Sequence, residues 1–308
     1  MSYKYSKLSQ TLTEKISKAD KKNNGIYFTP PKTIAKNLEV LDSHMKNIKS
    51  VLEPSCGSGE FILLLDQQFK KLNLNIDIDA IEFNKTIYNS IKKKVSKNIK
   101  LYNENYLLYD NSKTYDLIIG NPPYYVMKKK DVPKSYHKYF NGRPNIFILF
   151  IIKSLKILNK NGILSFVLPK NFLNCSYYDE TRKYISEHYK ILTIMECNDK
   201  YIETQQNTII LIVQNTPEQN HSDNDKYILK SGSYTIFGLP ENIIKLTKLY
   251  ENSSTLSKSG FKVCVGNIVW NQCKDELTND STKTRLIYSS DIKNNKLDIW
   301  QFLTKKKK

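Results

Sequence analysis

Hydrophobic positions along the chain alternate between two periods. A polar, basic stretch over 1–24 is expected to hold a short helix. GIYFTPPKTIAKNLEVLDSHMKN follows, with Ile34, Leu38, Leu41 and Met45 at helical spacing. Pro30 and Pro31, preceded by Thr29, suit the first turn of that helix, where a missing N–H costs nothing. KSVLEPSCGSGEFILLLDQQFKKL reads as a short strand, a glycine turn and a helix, and IDIDAIEFN as a second strand ending in an acid. TIYNSIKKKVSKN is a helix with a solvated lysine face. IKLYNENYLL and YDLIIGNPPYY contain the third and fourth strands. NIFILFIIKSLKILNKNG is apolar nearly all round and predicts a buried helix, with Gly162 placed to close it. GILSFVLP is a fifth strand and YYDETRKYISEHY a helix. ILTIMEC and NTIILIVQN are two more strands, expected to pair as a hairpin at a sheet edge. Strand and helix in this rhythm predict an α/β doubly wound sheet. Past the polar TPEQNHSDNDK the rhythm breaks. One helix, LPENIIKLTKLYEN, precedes a short, irregular, strand-rich stretch. The expected division is a larger domain over 1–230 and a small module over 231–308.

Composition adds a partner class. The chain has 308 residues, 40% of them hydrophobic, enough for a large core. Lys and Arg outnumber Asp and Glu by 48 to 30, a net charge of +18, which favours a polyanionic partner. A lysine-rich proteome with AT-rich coding would give the same excess. The five cysteines are scattered and unpaired in sequence, and the four histidines stand apart, so neither a disulfide framework nor a metal site is expected. The N-terminus lacks an apolar signal core, and no run approaches the ~20 apolar residues that span a bilayer. The expectation is a soluble, cytoplasmic protein that makes no use of a membrane.

Candidate chemistry sits at strand ends. Open α/β sheets bind ligands at the carboxyl ends of their strands, where strand order reverses. Gly57 and Gly59 occupy the turn after the first strand, where glycine lets backbone approach a ligand; alone, such a pair is as often a tight turn. Glu82 ends the second strand, placed to accept hydrogen bonds from both hydroxyls of a ribose. Ile62 stands where a dinucleotide fingerprint has its third glycine, and no basic cluster suggests a pyrophosphate. S-adenosylmethionine, which carries no phosphate, fits better. NPPY, residues 121–124, closes the fourth strand and faces the same crevice. It is either a strand stop or a device that holds a planar amine.

VLEPSCGSGEF followed by NPPY, with YFTP ahead of both, resembles the DNA adenine-N6 methyltransferases, whose [DNS]PP[YFW] signature follows this strand. The motif order, with an extra module at the C-terminus, is similar to the gamma group of these enzymes. The resemblance covers roughly residues 25–215. It implies a Rossmann-like S-adenosylmethionine-dependent methyltransferase domain acting on double-stranded DNA, in a restriction-modification setting with a restriction or specificity partner. The chemistry then explains the residues. The exocyclic amine of adenine is a poor nucleophile because its lone pair is delocalised. If the Asn121 side-chain oxygen and the Pro122 carbonyl each accept one N–H, the nitrogen pyramidalises and its lone pair turns towards the methyl. Proline's fixed φ holds that carbonyl, and Tyr124 stacks on the base. No strong base is needed, because the proton becomes acidic once the methyl has arrived.

The resemblance also assigns cofactor residues: Thr29 and Pro30 for the methionine end, Glu53, Ser55 and Gly57 for the first motif, Glu82 for the ribose and Pro123 for the ring face. Asn105 stands where the family usually has Asp for the cofactor's adenine amine. A base swung out of a duplex needs a second aromatic, and Tyr201 in DKYIETQQNTIIL is placed to supply it. Segments around VCVGNIVWNQCKDELT resemble recognition domains, in which Trp270, Lys274 and Arg285 would read a groove; a structural cap on the sheet is the plainer role. NPPY also occurs in methyltransferases of ribosomal RNA adenine and of a glutamine amide. An RNA or protein methyltransferase, and a non-catalytic nucleic-acid-binding subunit, therefore stand beside the DNA enzyme.

Overall fold

The computed structural model describes residues 4–217, 222–262, 264 and 273–297. The chain separates into two units, 1–252 and 253–308. The first opens with α1 (Lys7–Lys15), α2 (Lys18–Asn24) and α3 (Pro31–Leu41). Its sheet is built from β1 (Ser50–Glu53), β2 (Asp77–Ile81), β3 (Ile99–Tyr102), β4 (Tyr115–Gly120), β5 (Leu158–Pro169), β6 (Lys190–Cys197) and β7 (Thr208–Gln214). The seven strands lie in the order β3-β2-β1-β4-β5-β7-β6. Only β7 runs antiparallel to the rest, so the expected edge hairpin of β6 and β7 is present. Strand order reverses between β1 and β4, which makes their carboxyl ends the natural ligand crevice.

Alternation along the strands explains the layers. Leu117 and Ile119 face a core with Ile34 and Leu38 of α3 and with Phe61 and Leu65 of α4 (Glu60–Lys71). Ile118, Leu164 and Phe166 face the opposite core, filled by α6 (Ile146–Lys156). Between these helices in sequence lies α5 (Lys85–Ile91). Helices cover both faces, so the central strands read as apolar runs. Gly162 does not close α6, which ends at Lys156, six residues earlier. It lies inside β5, where a Cβ would come within 2.8 Å of the Tyr115 carbonyl and 2.9 Å of the Asn159 carbonyl. The glycine permits the close approach at the irregular start of that strand.

Two more sequence readings shift. Residues 1–24 hold two capped helices, not one, and Leu12 and Ile16 are buried with Phe28 and Ile87. The boundary expected near residue 230 falls at 252/253. The reason is Arg182, wholly buried on α7 (Asp179–His188). Its guanidinium donates to the carbonyls of Phe172, Cys175 and Thr235, while Asp179 accepts from the Thr235 N–H at 2.8 Å. Those bonds fasten the hairpin β8 (Ile228–Ser231) and β9 (Tyr234–Phe237) to the first unit, and α8 (Pro240–Glu251) follows it. The second unit is less strand-rich than expected in its described part: two 3-10 turns and a two-residue hairpin, β10 (Ile292–Lys293) with β11 (Lys296–Leu297).

Candidate active site

Three adjacent strand ends meet in one place. β1 ends at Glu53 and runs into the turn Ser55–Gly57, Glu82 follows β2, and Asn121 follows β4. Hydrogen bonds tie them. Glu82 accepts from the Gly57 N–H at 2.9 Å through one carboxylate oxygen and from the Asn84 N–H at 2.6 Å through the other. The Ser55 hydroxyl donates to the Asn121 carbonyl at 3.1 Å. The Asn121 amide nitrogen donates to the Thr29 hydroxyl at 2.9 Å and lies 3.5 Å from the Tyr27 carbonyl. A carbonyl only accepts, so the amide nitrogen faces residues 27–29 and the amide oxygen faces the other way. There it meets the Tyr124 hydroxyl, which has two acceptors within reach, Asn121 Oδ1 at 2.5 Å and the Val167 carbonyl at 2.7 Å. No described donor bonds the Pro122 carbonyl. Gly25, at φ +63°, presses on this loop from behind: a Cβ there would stand 2.7 Å from the Tyr124 nitrogen.

The adjoining cleft is lined by Tyr27, Phe28, Thr29, Glu53, Ser55, Gly57, Glu60 and Asn121, among others. Among the described residues, no Lys, Arg or His lines it. Burial pushes Glu82 up to about 7, opposed by its bonds to Asn84 and Gly57. Glu53, 2% exposed, is raised well above the usual carboxyl range, first by burial and further by the charge of Glu82. One Glu53 oxygen is buried without a hydrogen-bond partner. A cleft with buried carboxyl oxygens and no cationic side chain suits a ligand that carries hydroxyls, an ammonium and a sulfonium but no phosphate. It thus fits S-adenosylmethionine, with the orphaned Glu53 oxygen open to an N–H donor. Glu82, expected at the ribose, lies outside the cleft lining behind Gly57, with each oxygen accepting a backbone N–H.

The expected residues divide. Thr29, Glu53, Ser55, Gly57, Glu82 and the NPPY loop come together. Tyr201 joins them, but buried: only 7% is exposed, and its hydroxyl finds no partner among the described residues. Burial raises its phenol, with the side chains of Thr208 and Asn121 acting in the opposite sense. Tyr124 is half-buried with its ring edge-on to Phe147 at 6.0 Å. Pro30 serves as the N-cap of α3, and its carbonyl accepts the Ile34 N–H. Pro123 lies against Gly25, outside the cleft lining. Asn105 caps its own turn, with Oδ1 accepting the Leu107 N–H at 3.0 Å. Lys274 and Arg285 belong to the second unit, Arg285 exposed, and Trp270 lies outside the described residues. Sequence reading misses Phe83. It is 66% exposed directly after Glu82, at the carboxyl end of β2 and outside the cleft lining. The available signal is a large apolar residue just beyond a strand end.

Comparisons with known proteins agree on the fold. A putative class I S-adenosylmethionine-dependent methyltransferase from Listeria monocytogenes superposes with a TM-score of 0.59 at 17% identity, covering 69% of this chain and 66% of that one. The methyltransferase subunit of a type I restriction-modification system from Streptococcus thermophilus gives 0.54 at 18%, covering 78% and 55%. In sequence, modification methylase CviBIII of Paramecium bursaria Chlorella virus NC1A is 32% identical over 219 residues, 69% of this chain and 55% of that protein. Type II methyltransferase M.AccI of Acinetobacter calcoaceticus is 29% identical over 188 residues, 58% and 34%. The chain thus spans about half or less of these relatives' length. The methyltransferase fold and the methylase relatives bear out S-adenosylmethionine as the cofactor. The family model described as Eco57I restriction-modification methylase matches residues 1–202, well over half of the chain, and the chain belongs to that family.

Proposed function

We propose that the protein is a site-specific DNA methyltransferase that acts on the N6 amine of an adenine rotated out of the duplex. The observation that carries this reading is the fixed amide of Asn121. Tyr27 and Thr29 hold its nitrogen, so its oxygen faces away from them, towards the Tyr124 hydroxyl, on the loop that also carries the Pro122 carbonyl. Two acceptors on one loop match the two N–H bonds of an exocyclic amine. Tyr124 supports the exchange: its hydroxyl donates to the Val167 carbonyl when a substrate N–H takes the Asn121 oxygen, so no donor is orphaned. S-adenosylmethionine supplies an electrophilic methyl on a sulfonium. Asn121 and Pro122 localise the amine's lone pair along the line of attack, an effect of positioning. The proton leaves the methylated nitrogen to water.

A family named for restriction-modification and relatives named as modification methylases favour duplex DNA and a companion restriction activity. The test is transfer of labelled methyl from S-adenosylmethionine to duplex DNA, RNA and protein in parallel, with nucleoside digestion of the product. N6-methyladenine from duplex DNA is expected. Asn121→Ala should lower turnover by about 100-fold with cofactor affinity kept. Label confined to RNA or protein, or a methylated cytosine, overturns the reading, as does full turnover by the Asn121 variant.

A further inference from the structure

The net charge of +18 is spread over the surface, yet one basic cluster stands out by its place in the fold. The loop from β4 to α6 opens directly after Tyr124. Its ends are pinned together by the Val126–Asn145 bridge, by the Met127 N–H to the Pro144 carbonyl at 2.9 Å and by the Ile146 N–H to the Tyr125 carbonyl at 3.0 Å. Val132, Tyr139 and Phe140, each 4% exposed, seat it on the core that α6 fills. Its close ends and two 3-10 turns, Lys129–Asp131 and Lys134–Tyr139, give it a defined shape, that of a long Ω-loop. Outward it shows Lys128, Lys129, Lys130, Lys134, Lys138 and Arg143, all exposed, against one acid, Asp131. None of the six forms an ion pair among the described residues. The loop is held by backbone bonds and apolar packing; Lys138 lies 5.1 Å over the Tyr139 ring, and the remaining charges repel one another.

We propose that this loop grips the phosphates next to the target nucleotide. The inference rests on the DNA methyltransferase reading and extends it to a surface. Position separates it from a merely solvated basic face. Lys92, Lys93, Lys94 and Lys97 are equally exposed and also free of ion pairs among the described residues, but they lie between α5 and β3, at the amino edge of the sheet. The Ω-loop leaves the carboxyl edge, beside Asn121. A base that reaches NPPY brings its own flanking phosphates to that edge and not to the other.

The experiment compares the full chain with two charge-matched quadruple variants, Lys128→Gln with Lys129→Gln, Lys130→Gln and Lys134→Gln, and Lys92→Gln with Lys93→Gln, Lys94→Gln and Lys97→Gln. Affinity for a mixed-sequence duplex is titrated against salt. Each phosphate contact contributes about 0.9 to the slope of log affinity on log salt, so the loop variant should flatten it by about 3 to 4. The amino-edge variant should keep the wild-type slope. Calorimetry of S-adenosylmethionine should give one affinity for all three, which confirms that the loop variant is folded. An unchanged slope in the loop variant overturns the proposal, and so does equal flattening in both variants, which would make the effect one of net charge. A wild-type chain that neither binds nor methylates duplex DNA fails the underlying reading instead, and the loop assignment falls with it.

Discussion

Asn121 is held by partners distant in sequence and Glu82 by Gly57 and the nearby Asn84, and this decides what each can do. The Thr29 hydroxyl, assigned from the motif to the cofactor, bonds the amide nitrogen of Asn121, 92 residues away. Thr29→Val removes that neutral hydrogen bond, worth about 0.5–1.5 kcal/mol. Turnover should fall about 3- to 10-fold while the S-adenosylmethionine dissociation constant holds, and Thr29→Ser should restore turnover. A change confined to cofactor affinity would return Thr29 to the cofactor alone. Glu82 carries a pH dependence. Its carboxyl is raised from 4.5 to about 7 by burial. Between those values the folded chain keeps a proton that the unfolded chain has lost, so this group's stability contribution falls as pH rises through that window and levels off above it. Ribose hydroxyls favour the carboxylate. Cofactor affinity should therefore weaken as pH drops below about 7, by at most about tenfold per unit. Calorimetry from about pH 5.5 to 8.5, spanning the raised value, checks this; a flat profile in the wild type, or an unaltered slope in Glu82→Gln, removes Glu82 from the binding step. Both residues are legible in the sequence as strand ends. Asn105 shows the limit: its position is legible, but not that its oxygen is already engaged by the Leu107 N–H.

At the scale of elements, periodicity gives the sheet because its strands and helices bury regular faces. The alternation of Leu117, Ile118 and Ile119 between two cores and the spacing of Ile34, Leu38 and Leu41 are visible without coordinates. Gly162 misleads because glycine both ends helices and permits close backbone approach, and only the position of Tyr115 decides between them. The second N-terminal helix, α2, is hidden for another reason: its buried contact is polar. Lys21 of α2, its side chain 6% exposed, pairs at 2.6 Å with Glu203 of the loop that carries Tyr201, 29% exposed. Lys21 also donates to the Thr13 carbonyl. The pair is unequal. Loss of Lys21 leaves a carboxylate that water can reach, while loss of Glu203 strands a buried ammonium with one carbonyl. Glu203→Ala should cost about 3 kcal/mol in urea unfolding and Lys21→Met clearly less. Equal costs would mean that the pair is as solvated as a surface salt bridge.

For the whole molecule, the two boundaries, 230 from the sequence and 252 from the fold, make different proteins. Polar TPEQNHSDNDK signals a boundary by composition, but composition does not show that Arg182 is buried against the Thr235 carbonyl. A chain cut after Lys230 loses Thr235, leaving a buried guanidinium short of an acceptor and Asp179 without the Thr235 N–H. Breaking such a buried network costs about 3–5 kcal/mol, a large part of the stability of a domain. A chain cut after Asn252 keeps every one of those bonds. It should unfold in urea close to the full chain and bind S-adenosylmethionine as tightly, because every cofactor residue named here precedes Tyr124 and lies in the first unit. The same comparison of chain lengths tests the second unit. If residues beyond 252 read DNA sequence through Lys274 and Arg285, the shortened chain should lose discrimination between a target site and a scrambled duplex, with a shallower salt slope than the full chain. A folded chain ending at Asn252 that still discriminates would place recognition in the first unit, in the Ω-loop and the Tyr201 loop, and reduce the second unit to a cap.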